Sequence, residues 1–150
     1  YAHAGKDVLK HLANIVKGTN TKLFVLTVLT HYTEDYVREL YGKSMEETIR
    51  LLASWAEESG CTGVILPAKY LYVVKDMKLL TMCPGIRPDW YANKHANNQV
   101  QISTPTEAVK NGANYLVIGS PITKVNTTLI VDQPCVRLNK ILNEIDDALK

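Results

Sequence analysis

A chain of 150 residues fits one ordinary domain, and 46% hydrophobic with 21% charged residues is enough apolar material for a packed core. That balance excludes a disordered chain, a collagen-like chain and a disulfide scaffold. Lys and Arg number 17 against 15 Asp and Glu, and the net charge of +2 is too weak for a nucleic-acid footprint.

Apolar runs and helical patterns then alternate in chain order. Val8, Leu9, Leu12 and Val16 fall on one helical face, with Gly18 as a natural stop. Leu23 to Leu29 is a continuous apolar and β-branched run, which predicts a strand buried on both faces. Ser44 and Glu47 form a capping box for a second helix. Its stripe is Met45, Ile49, Leu52, Ala53 and Ala56, and Gly60 closes it. Gly63 to Leu66 reads as a short strand ended by Pro67, and Tyr70 to Met77 as a short helix. Leu79 to Cys83 is a third strand, stopped by Pro84 and Gly85. Asp89 to Gln101 is polar and without periodicity, so it reads as a loop. Thr104, Pro105 and Glu107 open a brief helix that ends at Gly112. Tyr115 to Ile118 is a fourth buried strand. A last helix begins near Pro134 and carries Leu138, Ile141, Leu142, Ile145, Ala148 and Leu149.

Strands separated by helices imply parallel pairing, so the fold class is α/β, a single unit over 1–150. Four strands fit a small open sheet or half of an eight-stranded barrel. No apolar run approaches the roughly 20 residues that span a bilayer, so no membrane partner is expected. Tyr1 to Lys6 is not a signal peptide, and the absence of an initial Met points to a start inside a longer protein. Cys61, Cys83 and Cys135 have neither disulfide nor zinc spacing. They read as buried thiols of a reducing, cytoplasmic compartment.

Ligands of α/β folds gather at the carboxyl ends of the strands. Residues there include Thr30, His31 and Tyr32, then Pro67 to Lys69, Pro84 to Pro88, and Gly119, Ser120 and Pro121. In the third group two prolines bracket Arg87 in a stiff turn, and Gly85 lets the backbone bend. A fixed guanidinium binds two oxygens of a phosphate or carboxylate at once. Gly119 leaves backbone N–H groups open to an anion, and Gln99 is placed to close over a base or phosphate. His31 is a candidate acid or base. The remaining histidines show no metal spacing, so no metal is expected.

The order of these pieces is more specific than any one of them. Leu26-Thr27-Val28-Leu29-Thr30 is followed by Pro84-Gly85-Ile86-Arg87-Pro88. Asn98-Gln99, Thr104-Pro105 and Ala108 come next, then Val117-Ile118-Gly119-Ser120-Pro121-Ile122-Thr123. This resembles the C-terminal half of the bacterial-type orotidine 5′-phosphate decarboxylase family, from about His3-Ala4 to the final helix. The resemblance implies strands five to eight of a (β/α)₈ barrel. It implies decarboxylation of orotidine 5′-monophosphate to UMP in pyrimidine biosynthesis, without metal or organic cofactor. It also implies active sites at a homodimer interface. By match, Thr30, Arg87, Gln99 and Gly119 line the nucleotide and phosphate site, with Ser120 beside them.

The chain departs from the family pattern at His31, where Ser is usual, at Asn98, where Asp is usual, and at Ser120, where Arg is usual. Losing that Arg removes a phosphate contact of about 1.5–3 kcal/mol. The D-x-K-x-x-D catalytic pattern is absent from these 150 residues, since Asp76-Met77-Lys78 continues as Leu79-Leu80-Thr81. The resemblance places those charges on earlier strands. Without them nothing here stabilises a carbanion-like transition state, so the chain alone is expected to be inactive. The alternative is a diverged, non-catalytic module that binds a nucleotide or sugar phosphate. A bare half barrel, with open edges and an apolar face, is expected to dimerise or aggregate.

Overall fold

A computed structural model of the chain describes residues 1–92, 100–124 and 133–150. Strands β1 (Phe24–Leu26), β2 (Gly63–Ile65), β3 (Leu80–Cys83) and β4 (Tyr115–Leu116) form one sheet in chain order. All three pairings are parallel, with Val25 beside Val64, Val64 beside Thr81, and Cys83 beside Leu116. Helices α1 (Lys6–Val16), α2 (Glu34–Tyr41), α3 (Met45–Glu58), α4 (Asp89–Ala92), α5 (Pro105–Lys110), α6 (Ser120–Thr123) and α7 (Pro134–Leu149) make up the rest of the described fold, together with short 3-10 segments. The segment Ala68–Val74 is a 3-10 helix where the sequence predicts an ordinary short helix.

The two capping boxes form as read. Ser44 accepts from the Glu47 N–H and Thr104 from the Glu107 N–H, and each glutamate accepts in return from the cap backbone. The α3 stripe is fully buried, with Met45, Ile49, Leu52, Ala53 and Ala56 all in the core. It packs with Val25, Val28, Val64, Leu66 and Cys83 in one apolar cluster. Asn114 clips the start of β4 to β3, its side-chain oxygen accepting from the Thr81 N–H at 2.8 Å and the Thr81 hydroxyl at 3.1 Å.

The sheet has one covered and one uncovered face, which corrects the expectation of strands buried on both sides. Because side chains alternate, Val25, Val64, Thr81 and Cys83 point to the buried face. Phe24, Leu26, Ile65, Leu80 and Met82 share the other face and are only half-buried, while Tyr115 and Val117 are exposed there. The strands are also shorter than their apolar runs, because Thr27 to Leu29 already leads into the turn at Thr30.

The outer helices differ from their predicted faces as well. On α1 the buried residues are Leu9 and Ala13, while Val8 is 46% and Leu12 40% exposed. On α7 only Arg137 and Ile141 are buried, and Leu138, Leu142 and Leu149 are exposed. They border a groove of about 540 Å³ shared with α5 and β4. Cys61 and Cys83 are buried as expected, but Cys135 is exposed at the start of α7. Among the described residues, no helix is long and apolar enough to cross a membrane.

Candidate functional site

At the carboxyl end of the sheet, backbone hydrogen bonds bring two of the predicted residues, Thr30 and Arg87, into one unit, whereas no such bond ties Gly119 or Ser120 to it among the described residues. Gly85 has a φ of 77°, and a Cβ there would lie 2.7 Å from the Gln101 carbonyl and 3.2 Å from the Thr30 methyl. Only glycine lets the chain leave β3 this closely. The next residues then run alongside segment 101–103. Arg87 donates its N–H to the Ser103 carbonyl at 2.9 Å, Ser103 donates to Gly85 at 3.3 Å, and Ile86 bridges Ser103 in parallel. Gln101 donates its backbone N–H to the Thr30 carbonyl at 2.9 Å, so Thr30 and Arg87 belong to one hydrogen-bonded unit.

Arg87 is the chemical centre of this unit. The residue is 8% exposed, and among the described residues Nη1 donates only to the carbonyl of its neighbour Ile86, at 2.9 Å, while the buried Nε has no partner. Among the described residues no carboxylate pairs with it. A buried cation held by one carbonyl is costly unless an anion completes it. The Tyr91 ring lies beside it, 6.0 Å from the guanidinium carbon to the centroid.

Gln101 is a residue that sequence reasoning missed. It is 5% exposed, and its amide donates to the Tyr32 carbonyl at 3.1 Å while Oε1 has no partner among the described residues. The sequence places it at the end of a polar loop without periodicity, whereas the structure buries it and exposes Val100 and Ile102. The usable signal is the position just ahead of the Thr104 cap, where the chain must return to the sheet.

Gly119 and Ser120 follow β4 at the same end. The Gly119 carbonyl accepts from Ile122 at 2.9 Å and Thr123 at 3.1 Å, which forms the short α6. Arg137 of α7 donates Nη1 to the Pro121 carbonyl at 3.1 Å and the Lys124 carbonyl at 2.9 Å. Its guanidinium carbon is also 6.0 Å from the Tyr91 centroid, so the Tyr91 ring lies near both Arg87 and Arg137. Gln99 and Asn98 lie outside the described residues, as does His95. His31 is exposed, with its ring 5.0 Å from the Tyr32 ring, and it lines an open pocket with Tyr32, Thr33 and Tyr36. No group of three or more His, Cys, Asp or Glu able to hold a metal exists among the described residues.

Parallel strands with helices between them, closed at their carboxyl end by the Arg87 unit, define a segment of an α/β barrel. The model of the family described as "Orotidine 5′-phosphate decarboxylase / HUMPS family" matches residues 1–128, and the chain belongs to this family. The orotidine 5′-phosphate decarboxylase of Nitrosomonas eutropha is 34% identical over 155 residues, covering 99% of this chain and 62% of that protein. Its counterpart in Wolbachia pipientis is 36% identical over 126 residues, covering 80% of this chain and 53% of that one. The crystal structure of orotidine 5′-phosphate decarboxylase from Lactobacillus acidophilus superposes with a TM-score of 0.72 at 26% identity. That match covers 97% of this chain and 61% of that structure. An uncharacterised conserved protein from Geobacillus kaustophilus shares the fold, with a TM-score of 0.71 at 20% identity. The chain thus spans less than two thirds of each of these relatives. Its four parallel strands are part of a (β/α)₈ barrel.

Proposed function

We propose that this chain supplies the nucleotide- and phosphate-binding part of an orotidine 5′-monophosphate decarboxylase. The observation that carries this reading is Arg87, a buried guanidinium with an unpartnered Nε and no carboxylate beside it among the described residues. A phosphate dianion is the complement such a fork lacks. Thr30 packs against Gly85 in the same unit, and Gly119 with Ser120 joins it in this proposal as the turn that follows β4. Gln99 completes the set in our reading, by its match to the family motif. The site uses no metal or organic cofactor.

The chemical step belongs to residues that this chain lacks, because no D-x-K-x-x-D occurs in it. Binding of the phosphate by Arg87 anchors the substrate, and remote binding of that kind contributes to the barrier only when charges at the reacting carbon are also present. We therefore expect no release of CO₂ from orotidine 5′-monophosphate by the 150-residue chain. Adding the segment of a relative that precedes the matched region should restore it. Failure of that reconstituted pair contradicts the enzymatic reading. Ser120 favours a second reading, a non-catalytic nucleotide-binding module, since it offers no guanidinium where the family has one. That reading holds if UMP binds and reconstitution yields no turnover.

The working form is a cytoplasmic homodimer in this proposal. The exposed Val8, Leu12 and Ile15 of α1 and Leu138 and Leu142 of α7 support association. Light scattering that finds a monomer throughout removes the dimer from it.

A further inference from the structure

Arg137 lies on α7, far in sequence from any motif of the nucleotide site, yet it is buried and turned toward that site's end of the sheet. One nitrogen, Nη1, bridges the carbonyls of Pro121 and Lys124, the two sides of the turn that follows Gly119 and Ser120. The guanidinium carbon lies 5.7 Å from the Trp90 centroid and 6.0 Å from the Tyr91 centroid, both on α4. Helix α4 directly follows the Arg87 turn, and Tyr91 donates its backbone N–H to the Pro88 carbonyl at 2.9 Å. Arg137 is thus bonded to the 119–124 turn and lies against the two rings of α4. The two rings are nearly perpendicular, at 84°, so a planar cation touching both has little freedom to turn. Lys140, one helical turn on, reaches the Trp90 ring at 4.8 Å and reinforces the same seam.

We propose that Arg137 is a positioning residue for the phosphate subsite, locking the 119–124 turn against α4 so that Gly119 and Ser120 are held at a fixed distance from Arg87. The inference rests on the phosphate reading above. It requires only the bonds that Arg137 makes, and no contact between Arg137 and the ligand. A guanidinium suits the task because its planar face stacks while its edge donates, which an ammonium cannot do at once.

The test is calorimetry of the full chain with two ligands, UMP and uridine, which differ by the phosphate alone. Arg137→Met should weaken UMP binding by about tenfold while uridine binding stays within about twofold. Arg137→Lys, which keeps a charge and a single donor direction, should recover part of the UMP affinity and serves if the Met variant fails to fold. Equal weakening of both ligands, unchanged UMP binding, or a Lys variant no better than Met overturns the proposal. Failure of the phosphate reading looks different. There, wild-type protein binds UMP no better than uridine, or Arg87→Ala leaves UMP unaffected, and the proposal falls with it.

Discussion

The ring of Phe24 meets the ring of Tyr115 edge to face, centroids 5.4 Å apart and planes at 85°, although β1 and β4 are the two outer strands of the sheet. Flat strands spaced at about 4.8 Å would hold those edges roughly 14 Å apart. The sheet therefore curls toward its uncovered face, in the sense a barrel requires, and Lys22 reaches the Tyr115 hydroxyl at 3.1 Å over the same end.

Gly63 makes that curl possible. A Cβ on it would lie 2.3 Å from the Leu80 carbonyl oxygen and 2.6 Å from the Phe24 ring. Gly63→Ala should destabilise the chain by about 1–3 kcal/mol through overpacking. Phe24→Ala in the same molecule should recover only part of that loss, because the backbone oxygen stays in place. Urea denaturation of the single and double variants checks both statements.

The Arg50–Asp76 pair makes an acid-dependent contribution. Asp76 is bound by both guanidinium nitrogens, Nη2 to Oδ2 at 2.7 Å, and the guanidinium lowers its carboxyl pKa to about 2 from the ordinary value of 3.8. A lowered folded-state pKa contributes stability that is fully present above 3.8 and is lost as pH falls through about 2. The pair joins α3 to the end of the 68–74 segment at the surface, so its effect is modest and salt-sensitive. Thermal melts from pH 5 to pH 2 should show a shallower acid loss for Asp76→Asn than for the wild-type chain.

Thiol reactivity should separate the cysteines. Burial pushes the Cys83 thiol up to about 12 and raises Cys61 as well, while Cys135 is exposed. A disulfide reagent at pH 8 should modify one thiol quickly and the other two only in denaturant. Fast reaction of all three would contradict the buried placement of β3 and its helix layer.

Cap removal offers a local check on the turn that carries Gln101. Thr104→Ala should cost about 1 kcal/mol, as should Ser44→Ala. Only the Thr104 change should also disturb the Arg87–Ser103 backbone bond, visible as faster amide exchange at Arg87.

Features set by neighbouring residues were legible in the sequence. Both capping boxes and the helical spacing of the α3 stripe depend on residues within a few positions of one another. So did α2, whose Thr33 cap and Gly42 stop went unread. What lay hidden depends on chain segments far apart. Val8 and Leu12 look like core by periodicity, but the apolar stripe of α1 is wider than the surface this chain offers it. Gln101, read as part of a solvated polar loop, is buried because segment 101–103 is pulled under Thr30 and Gly85. Arg137 carries no motif at all, since its significance lies in two carbonyls and two rings contributed by other elements.

The central claim is that the Arg87 guanidinium takes the phosphate of a nucleotide, and titration of UMP against uridine in wild-type and Arg87→Ala chains tests it most directly. The account predicts that wild-type protein prefers UMP and that the Arg87→Ala change removes about 1.5–3 kcal/mol of that preference while leaving uridine binding unchanged. Equal binding of the two ligands by the wild-type chain, or an unaltered UMP affinity in Arg87→Ala, would contradict it.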